Sequence, residues 1–214
     1  MKHAVKYDLF NPAPAYEQKA VASDICRDPL DKIQGLTYVA DFISAAEELQ
    51  LIATINDQEW LGDLKRRVQH FGWKYDYRAR SLNREMYLGP LPPWAQDLAI
   101  RLVDQGLMGE LADQVIINEY KPGQGIANHV DCEPCFGDTI ISLSLATSCA
   151  MQFIHLDSKE KIEKILEPRS VVCIKGPARY DWSHGIAARL ADDIDGVRTN
   201  RQLRISMTFR KVII

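Results

Sequence analysis

Two histidines and one aspartate are the residues of this sequence best suited to hold a metal. His129 and Asp131 stand two positions apart in a segment, Gly125 to Asp131, that reads as a strand, so imidazole and carboxylate leave the same face. A His-x-Asp pair is common by chance and carries no weight alone. His184, in Trp182-Ser183-His184-Gly185, falls on a later strand-like segment and supplies a third ligand. Two histidines and a carboxylate form the facial set that leaves coordination positions open on non-haem Fe(II). The alternative is a surface His–Asp hydrogen bond beside an unrelated histidine. A second group comes from the last strand-like segment, where Arg204, Ser206, Thr208 and Arg210 share one face while Ile205, Met207 and Phe209 share the other. The apolar face demands burial. If the sheet closes into a barrel, the polar face points into its mouth, where two arginines are costly unless an anion or Asp131 pairs with them. A dicarboxylate co-substrate is the matching anion, because the guanidinium fork takes a carboxylate bidentately. An exposed edge strand is the plainer reading of the same pattern.

Such a site needs a scaffold, and the chain's period and punctuation suggest one. Apolar residues at 46% and charged residues at 26% are ordinary globular values and argue against a disordered or fibrous chain. No apolar run approaches a membrane span, and residues 1–18 lack a signal-peptide pattern, so the expectation is a cytoplasmic monomer with no membrane association. Five cysteines fit reduced thiols better than a disulfide framework. Residues 1–35 read as an N-terminal arm, and residues 36–214 as a single domain. Leu36 to Ile43 reads as a strand, and Ser44 to Glu47 as a capping box opening a helix that turns Leu49, Ile52 and Ile55 inward. Pro92 and Pro93 start a second helix to about Leu107, with Trp94, Leu98 and Leu102 on one face. Strand-like segments follow at Gln114 to Tyr120, Gly125 to Asp131, Thr139 to Leu145, Cys149 to Leu156, Ser170 to Ile174, Tyr180 to Ile186 and Arg201 to Val212. Lys121, Pro122, Gly123 and Gln124 form a type II turn between the first two. Asp192 to Asp195 reads as a solvated loop. About seven short strands after two helices predict an α+β, mainly β fold: a double-sheet barrel with N-terminal helices on one outer face.

Four motifs, Asn118-x-Tyr120-x-Pro122-Gly123, His129-x-Asp131, His184-Gly185-Ile186 and Arg204-x-Ser206-x-Thr208-Phe209-Arg210, together resemble the AlkB family of Fe(II)/2-oxoglutarate-dependent dioxygenases. They follow the family's order and cover residues 114–212. Tyr38 to Phe42, Arg66 to Gly72 and the ending Phe209 to Val212 are similar to the branch that in animals is fused to a tRNA-modifying methyltransferase; no such extra module is expected within 214 residues. The resemblance implies a double-stranded β-helix (jelly roll) over residues 114–212, with Fe(II) on His129, Asp131 and His184. It implies 2-oxoglutarate held at its distal carboxylate by Arg204 and Ser206, with Tyr120 bonding the same molecule. Asn118 and Arg210 would lie by its metal-chelating end. Many relatives carry Asn where this chain has Ser206, which alters one polar contact. The implied reaction consumes O2, converts 2-oxoglutarate to succinate and hydroxylates an N-alkyl carbon, which then leaves as an aldehyde.

In that family the segment before the barrel forms a lid, here about residues 63–90. Residues 63–85 hold seven basic and three acidic side chains, a net +4, so the chain's −3 leaves the remainder near −7. Trp73, Tyr75 and Tyr77 are interleaved with Arg78 and Arg80. Cations for phosphates and flat rings for a base suit single-stranded or flipped-base nucleic acid; a basic outer strand pair without a ligand is the alternative. Glu133 matches a position where some relatives carry an acid facing the damaged base, and an exposed loop is equally compatible. Cys132 and Cys135 have metal-like spacing but no second pair to complete a zinc site. His155 reads as a barrel-wall residue and His70 as surface or lid. The leading expectation is dealkylation of nucleic-acid bases, in DNA or RNA. A hydroxylase or demethylase of proteins or small molecules is the second, and a metal-free barrel binding carbohydrate or peptide the third.

Overall fold

Along the strands of this protein side chains alternate between two different cores, and that alternation fixes where the site can lie. The computed structural model describes residues 29–62 and 64–214; the arm expected over residues 1–35 therefore lies outside the described residues as far as residue 28, as does Asp63 of the lid. In chain order the strands are β1 (Leu36–Val39), β2 (Arg67–Phe71), β3 (Gln114–Tyr120), β4 (Ile126–His129), β5 (Phe136–Leu145), β6 (Cys149–His155), β7 (Lys161–Leu166), β8 (Val171–Lys175), β9 (Trp182–Ile186), β10 (Ala191–Ile194), β11 (Val197–Asn200) and β12 (Arg204–Val212). The helices are α1 (Ala45–Asn56), α2 (Pro93–Asp104) and a single turn α3 (Pro177–Tyr180). A six-stranded antiparallel sheet in the order β1-β8-β5-β12-β3-β2 faces a four-stranded one, β4-β9-β6-β7, and β10-β11 form a separate hairpin. This is the double-stranded β-helix, mostly β, with α1 and α2 against the outer face of the larger sheet.

The period of two is visible residue by residue. Val115 and Ile117 of β3, Leu143 of β5, Val171 and Cys173 of β8, and Ile205, Met207 and Phe209 of β12 pack outward under the helices. Tyr120, Val172 and Ile174 turn inward, against Met151, Phe153, Trp182 and Ile186 of the smaller sheet. A one-residue slip of β12 would exchange arginines for core residues, so its register is strongly held.

Local signals explain most boundaries. Ser44 caps α1, accepting from the Glu47 amide at 3.2 Å while Glu47 Oε2 accepts from the Ser44 amide at 2.8 Å. Leu49, expected inward, is 71% exposed; the buried stripe is Glu48, Leu51 and Ile55. The helix is turned to that phase because Glu48 is anchored: its Oε1 accepts from the Ala146 amide at 2.9 Å and its Oε2 faces Arg169 at 3.4 Å. β1 ends at Val39 rather than Ile43 because Asp41 takes a positive φ of 47° and turns the chain. α2 begins at Pro93 and buries Ala95, Leu98, Ala99 and Leu102, with Trp94 half-buried edge-on to Phe71. The turn after β3 has Gly123 at φ 82° and the Gln124 amide donating to the Lys121 carbonyl at 2.9 Å.

Two expectations are corrected. Asp192 to Asp195 is not a solvated loop: Ala191–Ile194 is a strand, closed onto β11 by Asp195 and Gly196 at φ 50° and 79°, the positive-φ pair a tight hairpin requires. Asp192 is 3% exposed and accepts bidentately from Arg201 at 2.7 and 2.8 Å, with Arg189 as a second partner. Asp192→Ala leaves Arg201 buried without its carboxylate, and an unfolding titration is expected to lose roughly 3–5 kcal/mol. Likewise, Cys132 and Cys135 are not reduced thiols but a disulfide, with Cα atoms 5.3 Å apart across a turn in which the Cys135 amide donates to the Cys132 carbonyl. Cys149 and Cys173 are free and buried. β7 was absent from the expected strands because its charged residues, Lys161, Glu163 and Lys164, mask the buried Ile162 and Leu166.

Candidate metal and co-substrate site

The inward face of β12 opens into a cavity of about 350 Å³ between the two sheets. His129 and His184 are direct partners in the β4–β9 ladder, with ring centroids 4.6 Å apart. That approach needs Gly185, where a Cβ would meet Asn128 Oδ1 at 2.2 Å. Asp131 follows β4, and one ligand atom from each of the three lies within 4.8 Å of the others.

Each ligand is held in the form a metal needs. His129 Nδ1 donates to the Ala127 carbonyl at 2.9 Å, which makes Nε2 the nitrogen available to a metal. Burial lowers the His184 pKa to about 4, more than the Asp131 charge raises it, so its ring is neutral near pH 7. Asp131 is 6% exposed, and burial disfavours its charge; Arg210, then the two histidines and Arg179, outweigh this and keep the carboxyl well below the usual range. Arg210 Nη2 donates to Asp131 Oδ1 at 2.7 Å, while Oδ2 is buried with no hydrogen-bond partner and lies 3.5 Å from His184 Nε2. A bare carboxylate oxygen beside two imidazoles is a donor set that a divalent cation satisfies.

The second half of the cavity is built on central strands. Arg204 lies opposite Tyr120 and Ser206 opposite Asn118 in the β12–β3 ladder, so four polar side chains form a patch two residues long on adjacent strands. Arg204 is 3% exposed; its Nη2 donates to Ser144 Oγ at 2.8 Å, but Nε and Nη1 are buried without partners. Orphaned guanidinium donors in a closed site are expensive, and a carboxylate would satisfy both. Arg66, Arg80, Arg204 and Arg210 line this cavity against a single carboxylate, Asp131. That balance of charge favours an anion.

From the lid, Tyr75, Tyr77 and Arg80 reach the cavity, and Arg80 Nη2 donates to the Val130 carbonyl at 3.2 Å. Trp73 does not: it packs on Tyr87 at 4.8 Å and against the cluster around Phe136 and Val212. Arg78 and Glu133 are exposed and outside the cavity lining. Two contributors were not singled out from sequence. Arg66 enters the cavity, donating to Asn118 Oδ1 at 2.7 Å. Arg179, 2% exposed on α3, donates to the Gly137 and Phe136 carbonyls at 2.8 and 3.0 Å and lies 3.5 Å from those of Asp131 and Cys132, bracing the loop that carries Asp131. Its placement five residues before His184 was the one available signal.

Among the described residues no helix is long and apolar enough to cross a membrane. Comparison with known proteins agrees with this architecture. A family model described as the 2OG-Fe(II) oxygenase superfamily matches residues 35–210. The chain is 36% identical over 203 residues to the alkylated DNA repair protein ALKBH8 homolog of Arabidopsis thaliana, covering 84% of this chain and 59% of the relative. It is 34% identical over 202 residues to the tRNA (carboxymethyluridine(34)-5-O)-methyltransferase ALKBH8 of Mus musculus, covering 83% of this chain and 30% of that protein. This chain thus spans less than two thirds of the length of these relatives. The solved structure of OsALKBH1 superposes with a TM-score of 0.59 at 16% identity, over 83% of this chain and 98% of that one, a likeness of fold. Triad, arginine-bearing strand, fold and sequence converge: the chain belongs to the 2OG-Fe(II) oxygenase superfamily, in its AlkB family.

Proposed function

We propose that this protein is an Fe(II)- and 2-oxoglutarate-dependent dioxygenase that removes N-alkyl groups from nucleic-acid bases. The observation that carries the reading is the coincidence, in one cavity, of Asp131 Oδ2 and two Arg204 N–H groups that are buried and unpartnered. His129, Asp131 and His184 hold Fe(II), and Arg204 with Ser206 takes the distal carboxylate of 2-oxoglutarate. Tyr120 bonds the same molecule. Asn118 and Arg210 flank its keto-acid end, and Arg210 also keeps Asp131 ionised. When bound, the metal with 2-oxoglutarate and O2 supplies the oxidation of an N-alkyl C–H bond, whose product releases the carbon as an aldehyde. No side chain needs to act as general acid or base; the protein orients the reactants and keeps water out.

Tyr75, Tyr77 and Arg80, where the lid meets the cavity, favour a planar base with a flanking phosphate. The names of the relatives, one for repair of alkylated DNA and one for modification of tRNA, support a nucleic acid without choosing DNA or RNA. Exposed Lys65, Lys74, Arg78 and Arg84 can track a backbone; Arg67 cannot, since Glu119 holds it at 2.9 and 2.6 Å. We take the chain to act as a cytoplasmic monomer.

Succinate and formaldehyde release from a panel of methylated DNA and RNA oligonucleotides tests the activity. Binding of a single-stranded oligonucleotide is expected to weaken with salt, with a log–log slope of about −2 to −3 for three or four engaged cations. Replacing Arg78 and Arg80 together by alanine should flatten that slope by about one unit, at roughly 0.7 counterion per phosphate contact. Undetectable or salt-independent binding by the unaltered protein would instead favour a protein or small-molecule substrate.

A further inference from the structure

Two guanidiniums in the cavity come from outside the barrel, Arg66 and Arg80, and of these Arg66 bonds a polar side chain of its wall. Arg66 and Arg67 are adjacent, yet they face opposite ways: Arg67 pairs with Glu119, its partner across the β2–β3 ladder, whereas Arg66 turns in towards Asn118. The Arg66 guanidinium lies 5.7 Å from the ring of Tyr120 on the barrel and 5.8 Å from that of Tyr77 on the lid. It therefore touches three residues of the cavity, two on β3 and one on the lid.

The chemistry of that contact is directional. A guanidinium carries donors and no acceptor, so Asn118 must present its oxygen to Arg66. The amide nitrogen of Asn118 is thereby left to donate into the cavity. Without Arg66 the amide is free to turn over and present its oxygen to an incoming carboxylate, which repels it. The Tyr77 hydroxyl is buried without a partner, so the ring that Arg66 faces on the lid side also has an unused polar group.

We propose that Arg66 is a positioning residue for 2-oxoglutarate: it fixes the Asn118 amide with its donors inward and, through Tyr77, couples closure of the lid to occupancy of the co-substrate site. This rests on the reading of the cavity given above. Because coupling between sites is reciprocal, co-substrate binding must steady the lid by the same factor that lid closure raises co-substrate affinity.

The experiment uses the full chain loaded with Mn(II), which holds the co-substrate without turnover. Calorimetry measures 2-oxoglutarate binding, and hydrogen exchange follows residues 73–80 with and without it. In the unaltered protein 2-oxoglutarate should slow exchange in that segment. Arg66→Met should weaken binding about tenfold, the scale of one oriented hydrogen bond to a charged group, and abolish the lid response. Arg66→Lys should recover part of the affinity, since an ammonium can donate to Asn118, but little of the lid response, since it lacks the flat face that meets both rings. Wild-type affinity in Arg66→Met, or a lid that still responds fully in Arg66→Lys, overturns the inference; should Arg66→Met fail to fold, the lysine variant decides alone. Arg204→Ala, measured in parallel, separates the two levels. If it binds 2-oxoglutarate as tightly as the unaltered protein, the co-substrate reading of the cavity falls, whereas loss there with no change at Arg66 removes only the role of Arg66.

Discussion

His184→Ala is expected to abolish metal-dependent consumption of 2-oxoglutarate while the protein keeps its fold. The ring is a partner of His129 across the β4–β9 ladder and lines the cavity, so its removal takes away a ligand and enlarges an existing cavity rather than opening one inside an apolar core. The loss should exceed about 100-fold, since even outer partners of metal ligands cost 10–100-fold when removed. Asp131→Ala should be equally inactive but behave differently on heating. It leaves the Arg210 side chain, 11% exposed, beside an empty place at 2.7 Å, and breaking such a pair costs roughly 3–5 kcal/mol. For a protein of this size that is a fall of about 10 °C in Tm, against little change for His184→Ala. Normal turnover in His184→Ala removes the triad; equal melting temperatures for the two variants remove the structural role of the Asp131–Arg210 pair.

The other large effect is expected at Arg204. Truncating one partner of a buried, charge-assisted pair costs about 2–5 kcal/mol, so Arg204→Ala should weaken 2-oxoglutarate binding by on the order of 100-fold or more. Part of that cost is the carboxylate left unpaired in a dry cavity. Arg204→Lys should restore only a fraction, because an ammonium reaches one oxygen and cannot also keep the contact to Ser144 Oγ that orients the guanidinium at 2.8 Å. The measurement is the KM for 2-oxoglutarate in uncoupled turnover. An unchanged KM would place the arginine outside the co-substrate site.

These variants concern residues that the sequence alone singles out. The alternation along β12 separates arginines from core residues without ambiguity, and Gln114–Tyr120 was bounded correctly because Val115, Ile116 and Ile117 form a β-branched run and Pro122 and Gly123 follow the segment. What sequence conceals is anything decided by a long-range partner. Leu49 has helical spacing as good as that of Leu51, and only the anchoring of Glu48 by Ala146, 98 residues away, turns it outward. The Asp192 hairpin was masked by its own acids, whose partner Arg201 lies beyond the turn, although Asp195-Gly196 was a usable signal. Among lid residues, composition could not tell Arg66, which enters the cavity, from Arg67, which pairs with Glu119, or Tyr75 from Trp73. Those choices depend on how each side chain leaves an irregular segment, and irregular backbone has no period to read.

The two halves of the cavity sit on supports of unequal strength. Arg204 and Ser206 are on β12, flanked on both sides by β3 and β5, whereas His129 is on the four-residue edge strand β4, which has a neighbour on one side and a register shift before the histidine. Edge strands with few contacts open at low free energy, by fraying rather than by global unfolding. The co-substrate half therefore exists whether or not metal is present, while a metal joining His129 to His184 acts as a clasp on the open side of the barrel. Bound at a hundredfold above its dissociation constant, it would add about 2.7 kcal/mol against that opening. Amide exchange in β4 should thus report metal occupancy, while exchange in β12 stays silent, and metal depletion should expose β4 to a protease before β12.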